Sequence, residues 1–120
     1  MANTFKVVNF AAEPASSGTP YVVYTAGSGV TAIVLGLVLS NIHTSQVTAT
    51  VRLVSDTAGR AVTNNTANGT SIIVKDAPIP VGGTLSVLEG KIVLNADDRI
   101  KVDCSVADKV SVTMSYMEIT

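Results

Sequence analysis

The sequence has no tryptophan, one cysteine, one histidine and few charges, and each scarcity removes a class of function. Cys104 alone cannot close an internal disulfide, and its alternation with Ile100 and Val102 marks it as a small core side chain. One cysteine and one histidine also fall short of the usual ligand set of a zinc site. His43 stands in a polar stretch beside Thr44 and Ser45. A catalytic triad would need an orienting acid as well, so this imidazole reads as a solvated turn residue. Charged residues make up 14% of the chain, the eight Lys and Arg are scattered, and the net charge is −1. No basic run is offered to phosphates, so nucleic-acid binding is not expected. Three tyrosines and two phenylalanines make a poor stacking platform for bases or sugars.

Long apolar runs are missing too. The longest, residues 31–39, is about half of what a membrane helix needs, and no basic segment leads into an apolar one at the N-terminus. No membrane association is expected, and the chain should be made in a cytoplasm and stay soluble. Gly27-Ser28-Gly29 lacks the Lys-Ser or Lys-Thr and the helix of a phosphate loop. Asp97 and Asp98 adjoin, with Asp103 and Asp108 further on, but the spaced oxygen ligands of a calcium loop are absent. The Asp97-Asp98 pair reads as a turn before a strand. Asn64-Asn65-Thr66 and Asn68-Gly69-Thr70 match the glycosylation pattern, which without a secretory signal is taken as chance. No catalytic residue, metal or cofactor is therefore assigned, and the chain is not expected to be an enzyme.

What remains is apolar and β-branched. Apolar residues make up 47% of the 120 positions, enough for the core of one domain. The period is two almost throughout. Strands are expected near residues 5–10, 21–25, 30–42, 46–54, 71–75, 84–88, 91–94, 99–106 and 109–119, with turn signals between them. That pattern predicts an all-β chain, a single β-sandwich or jelly-roll domain of about 8–9 antiparallel strands. In the strongest segment Ile33, Leu35, Leu37 and Leu39 share one face, and Ala32, Val34, Gly36 and Val38 the other. Apolar residues on both faces predict a strand buried on both sides, either in the middle of the fold or under a neighbouring subunit. The next run alternates Val47, Ala49, Val51 and Leu53 inward, and the polar link at 41–45 predicts an antiparallel hairpin between the two. Residues 55–70 are polar and are expected to form a long loop or a short excursion hairpin turning at Asn68-Gly69, a candidate contact element. With so few charges to cover its surface, the chain should bury apolar area against other copies or other proteins.

Four segments carry a resemblance: YVVYTAGSGVTAIVLGL at 21–37, VKDAPIPVGGTL at 74–85, GKIVLNADDRIKV at 90–102 and VTMSYMEI at 112–119. Together they resemble small virion proteins of tailed bacteriophages, including those of cyanobacteria and other aquatic bacteria. The chain departs from that pattern at Ala96-Asp97-Asp98, where Ala-Gly-Asp is expected, and its 55–70 loop is longer. The resemblance implies a β-sandwich module that decorates or cements a capsid, or occupies a neck or tail position. It carries over no catalytic residue.

The leading expectation is thus a virion structural protein, made in the host cytoplasm. As a capsid decoration or cement protein it would stabilise the phage head through contacts with the major capsid protein or other virion proteins. A homotrimer sitting where capsid subunits meet is favoured. The alternatives are a neck, tail or fibre-associated virion protein and a receptor- or carbohydrate-binding module. Residues 1–20 are expected to supply an N-terminal strand and an assembly arm, and residues 21–120 the sandwich domain. The candidate contact residues are Phe5, Val7, Val8 and Phe10 in the arm, Val34 and Val38 in the two-faced strand, and Arg60, Asn64, Asn65 and Asn68 in the long loop.

Overall fold

In the computed structural model, residues 2–55, 69–88 and 90–120 are described. Among them the period-two pattern forms nine strands: β1 (Asn3–Glu13), β2 (Tyr21–Thr25), β3 (Thr31–Asn41), β4 (Val47–Val54), β5 (Thr70–Ile79), β6 (Thr84–Ser86), β7 (Ile92–Leu94), β8 (Arg99–Cys104) and β9 (Val110–Ile119). They make two antiparallel sheets packed as a β-sandwich. One runs β1-β9-β3-β6, with β7 also paired to β3, and the other runs β2-β8-β4-β5. Among the described residues no helix is long and apolar enough to cross a membrane.

The core lies between the sheets. Leu37, Leu39, Val112 and Met114 come from the five-stranded sheet, and Val47, Val51, Ile100 and Val102 from the four-stranded one, all fully buried. Burying each such side chain stabilises the fold by about 1.5–3 kcal/mol before entropy is set against it. Cys104 lies in this core as a free thiol, 2% exposed.

Two expectations about β3 are corrected. Within the chain the strand is covered on one side only, so it is not in the middle of the fold. Its pairing with β9 slips between Val34 and Gly36, where β9 advances only from Tyr116 to Ser115, so Leu35 is the extra residue of a β-bulge. The bulge changes the phase of the alternation. Ala32 and Val34 point into the core before it, Leu37, Leu39 and Asn41 after it, and Leu35 and Val38 are exposed. The apolar character of both faces records two half-strands of opposite phase.

The second correction concerns the hairpin. β3 and β4 do not pair, because they lie in different sheets and the link between them crosses from one layer to the other. The buried Asn41 holds that corner. Its Nδ2 donates to the carbonyls of Ile79 at 2.9 Å, Ser45 at 3.0 Å and Pro80 at 3.2 Å, and its Oδ1 accepts from the His43 N–H at 2.7 Å. An amide with these carbonyls to satisfy anchors the corner to the end of β5, and the link lacks the glycine of a tight hairpin turn.

The turn between β7 and β8 is where the sequence departs from the phage pattern. Asp97 occupies it with φ +71°, the left-handed region that glycine enters freely. Asp98 is buried, and its Oδ2 accepts from the Asn95 N–H at 2.9 Å. The turn is tied to the loop after β2 by two backbone bonds, Ala26 N–H to Asp98 O at 2.9 Å and Asp97 N–H to Ala26 O at 2.8 Å. The adjacent acids thus serve the turn.

Candidate assembly interface

Alternation along β1, β9, β3, β6 and β7 sends half of their side chains into the core and the other half onto an outer face. The registers place that outer half in lines across the sheet. One line is Phe5, Met117, Ile33 and Val93, one residue each from β1, β9, β3 and β7. The next is Val7, Ser115 and Gly36. A third is Asn9, Thr113, Val38 and Ser86. The lines at the two ends add Asn3, Ile119 and Thr31 on one side and Ser111, Ser40 and Thr84 on the other. None of these positions is charged. Phe5 is 73% exposed, Val7 61% and Val93 53%, so much of this apolar surface is open.

The candidate residues in β1 are split by the same alternation. Phe5 and Val7 face outward, whereas Val8 and Phe10 pack against the core. β1 is an edge strand, hydrogen-bonded along β9 from Asn3 to Phe10. Its inner side closes one edge of the sandwich against β2. The Phe10 and Tyr21 rings meet edge to face at 4.8 Å, and the Tyr24 and Tyr116 rings are 4.4 Å apart. Lys6 Nζ lies 2.6 Å from Glu118 Oε1, and the Tyr24 hydroxyl donates to Glu118 Oε2 at 2.5 Å. The Lys6 bond, and then the Tyr24 bond, hold the Glu118 carboxyl below its ordinary range. Glu118 raises the Lys6 ammonium in turn, and burial together with the Glu118 bond pushes the Tyr24 hydroxyl up. This cluster ties β1 and β9 of one sheet to β2 of the other.

The remaining candidates fall differently. Val34 is 0% exposed and belongs to the core, which corrects its place among the contact residues, whereas Val38 is on the outer face. Arg60, Asn64, Asn65 and Asn68 lie outside the described residues. Sequence reasoning missed Ile33, Leu35, Val93 and Met117. The signal was present in β3 and at the end of β9, where apolar residues occupy both faces.

The outer face of the four-stranded sheet is of another kind. Arg52 lies opposite Lys101, and Arg99 is next along the same strand as Lys101. Beyond them, a shallow polar cavity of about 140 Å³ is lined by Ser17, Gly18, Thr48, Thr50, Asp76, Asp103, Cys104 and Ser105. Its carboxylates are engaged locally. Asp103 Oδ1 accepts from the Cys104 N–H at 2.8 Å and the Gly18 N–H at 3.1 Å, and Asp76 Oδ1 accepts from the Thr50 hydroxyl at 3.3 Å. Among the described residues no three His, Cys, Asp or Glu side chains come together as a metal site would need.

No protein-family model matches the sequence, and no curated protein matches it. Among solved structures, the chain is similar to one from Bacillus endospore appendages, described as a novel family of disulfide-linked pili. The identity is 16%, over 99% of this chain and 87% of that one, with a TM-score of 0.52. It is also similar to a chain of the infectious bursal disease virus Gx strain, at 15% identity over 96% of this chain and 33% of that one, with a TM-score of 0.48. A third is from the capsid asymmetric unit of cyanophage Pam1, at 19% identity over 97% and 83%, with a TM-score of 0.38. At 16% identity the pilus likeness is one of fold, the two-sheet sandwich.

Proposed function

We propose that the chain is a structural protein of a phage-type virus particle, a decoration or cement protein that works by burying sheet surface against its neighbours in the head. The observation that carries this reading is the uncharged, apolar outer face of the five-stranded sheet, open around Phe5, Val7 and Val93. The resemblance of its four segments to phage virion proteins supports the same reading. Linkage between subunits by disulfides, which gives the similar pili their description, is not a route this chain shares: its one thiol is buried.

The test is rebinding. Purified protein is mixed with phage heads assembled without it, and bound copies per head and the heads' resistance to heating are measured. Saturable binding that raises the temperature of DNA release supports the cement reading. Binding confined to necks or tails moves the protein to the tail axis, and failure to bind any particle rejects the virion role.

A further inference from the structure

The outer face of the five-stranded sheet has relief as well as apolarity. Phe5, Met117, Ile33 and Val93 form a ridge across four strands. Beside it lies a lower line with a hydroxymethyl at Ser115 and no side chain at Gly36, a trough over β9 and β3 that has Val7 at its β1 end and the exposed Leu35 beside Gly36. The two lines are two residues apart along each strand outside the bulge, roughly 7 Å.

We infer that this face is covered by the same face of a second copy, related by a two-fold axis. An axis in the plane of contact, running parallel to the ridge and midway between the two lines, lays Met117 and Ile33 of each copy over Ser115 and Gly36 of the other and sets Phe5 against Val7. The electrostatics allow this occupant. An isologous contact sets a surface against itself, so a cluster of one sign near the axis meets its own image. The outward positions of β1, β9, β3, β6 and β7 hold no charge, so the face meets its image without repulsion. The size is also sufficient. Eleven residues of β3 at about 3.4 Å each and four columns of strands at about 4.8 Å bound the face at roughly 720 Å² per copy, near the ~800 Å² per partner of a standard interface. This inference does not rest on the virion reading. It departs from the homotrimer favoured for a cement protein on the sequence alone.

Sedimentation equilibrium of the full chain from about 1 to 100 μM decides it. The wild type should be a dimer that dissociates on dilution. Val93→Glu, which places a charge on the ridge, and Ser115→Arg, which fills the trough with one, should each raise the dissociation constant by at least about 100-fold. Both positions are exposed, so the melting temperature of the dilute monomer should hold. Ile72→Glu, on the other sheet's outer face, should leave the dimer unchanged. Any of three results overturns the inference: a wild type monomeric throughout the range, an odd-numbered oligomer, or a dimer that survives both substitutions while each variant melts as the wild type does.

Discussion

The two sheets have inner faces of the same kind and outer faces of opposite kinds. Inside, both present fully buried apolar side chains, Val, Ala, Leu and Met from the five-stranded sheet and Val, Ala and Ile from the four-stranded one. Outside, the four-stranded sheet carries Arg52, Arg99 and Lys101 at one end and Asp76 and Asp103 at the other. The five-stranded sheet carries no charge on its strands' outward positions and exposes Phe5, Val7 and Val93. Inner faces follow from the need to exclude water, which any sandwich shares. Outer faces differ according to what each is built to meet, and only the charged one is suited to remaining in water.

The sharpest way to test this contrast is on one strand. Met114 and Met117 lie on opposite sides of β9. Met114→Ala should lower the unfolding free energy by about 2–5 kcal/mol, the range for emptying a buried site. Met117→Ala should cost under about 1 kcal/mol in dilute protein while weakening self-association. Urea titration and sedimentation read the two effects separately, and equal losses of stability would erase the distinction between the faces.

β1 repeats the comparison at the edge. Phe10→Ala removes the ring packed on Tyr21 and should cost about 1–3 kcal/mol. Phe5→Ala should leave the thermal midpoint of the dilute protein within a degree or two and act on contacts alone. If Phe5→Ala lowers the melting temperature as far as Phe10→Ala does, the outer side of β1 belongs to the core.

The Glu118 cluster predicts a dependence on pH. A carboxyl held below its ordinary value of 4.5 in the folded state stabilises the fold above that value, and the stabilisation is lost as pH falls through the lowered one. Glu118→Gln should therefore melt below the wild type at pH 7, with the gap closing in acid. A gap that stays constant down to pH 3 would show that the bonds of Glu118 do not depend on its charge.

The smallest effect is expected on the charged face. Lys101→Glu replaces a like-charge pair opposite Arg52 with an opposite one, and should stabilise by about 0.2–1 kcal/mol without changing the oligomer. A change in mass on this substitution would place an interface on the wrong sheet.

The strands themselves were legible because a half-buried strand declares itself within a few residues, as Val110, Val112, Met114 and Tyr116 do. Which strand goes to which layer was not. The corner at Asn41 depends on the carbonyls of Ile79 and Pro80, reached only after the chain has run through β4 and β5. The bulge at Leu35 hid for a related reason, since an inserted residue and a two-sided strand give the same apolar run. The candidate interface was half legible. Phe5, Val7 and Val38 could be named from their own strands, but the ridge draws on four strands, and neither Met117 nor Val93 joins Ile33 until the register is known. The unusual Asp97-Asp98 pair was read correctly as a turn, although the left-handed backbone at Asp97 shows that the turn still has the shape glycine would favour.

The pairing of β1 with β9 also sets an order of events. Lys6 and Glu118 are 112 residues apart, and β9 lies between β1 and β3, so the five-stranded sheet has no middle until the other eight strands have been synthesised. The four-stranded sheet needs nothing beyond Cys104. On a ribosome the charged layer can form first, while β1, made before the other eight strands, waits unpaired for its neighbour. Closing so long a loop is slow, and the apolar layer is then the last part of the molecule to form as well as the part with most to hide.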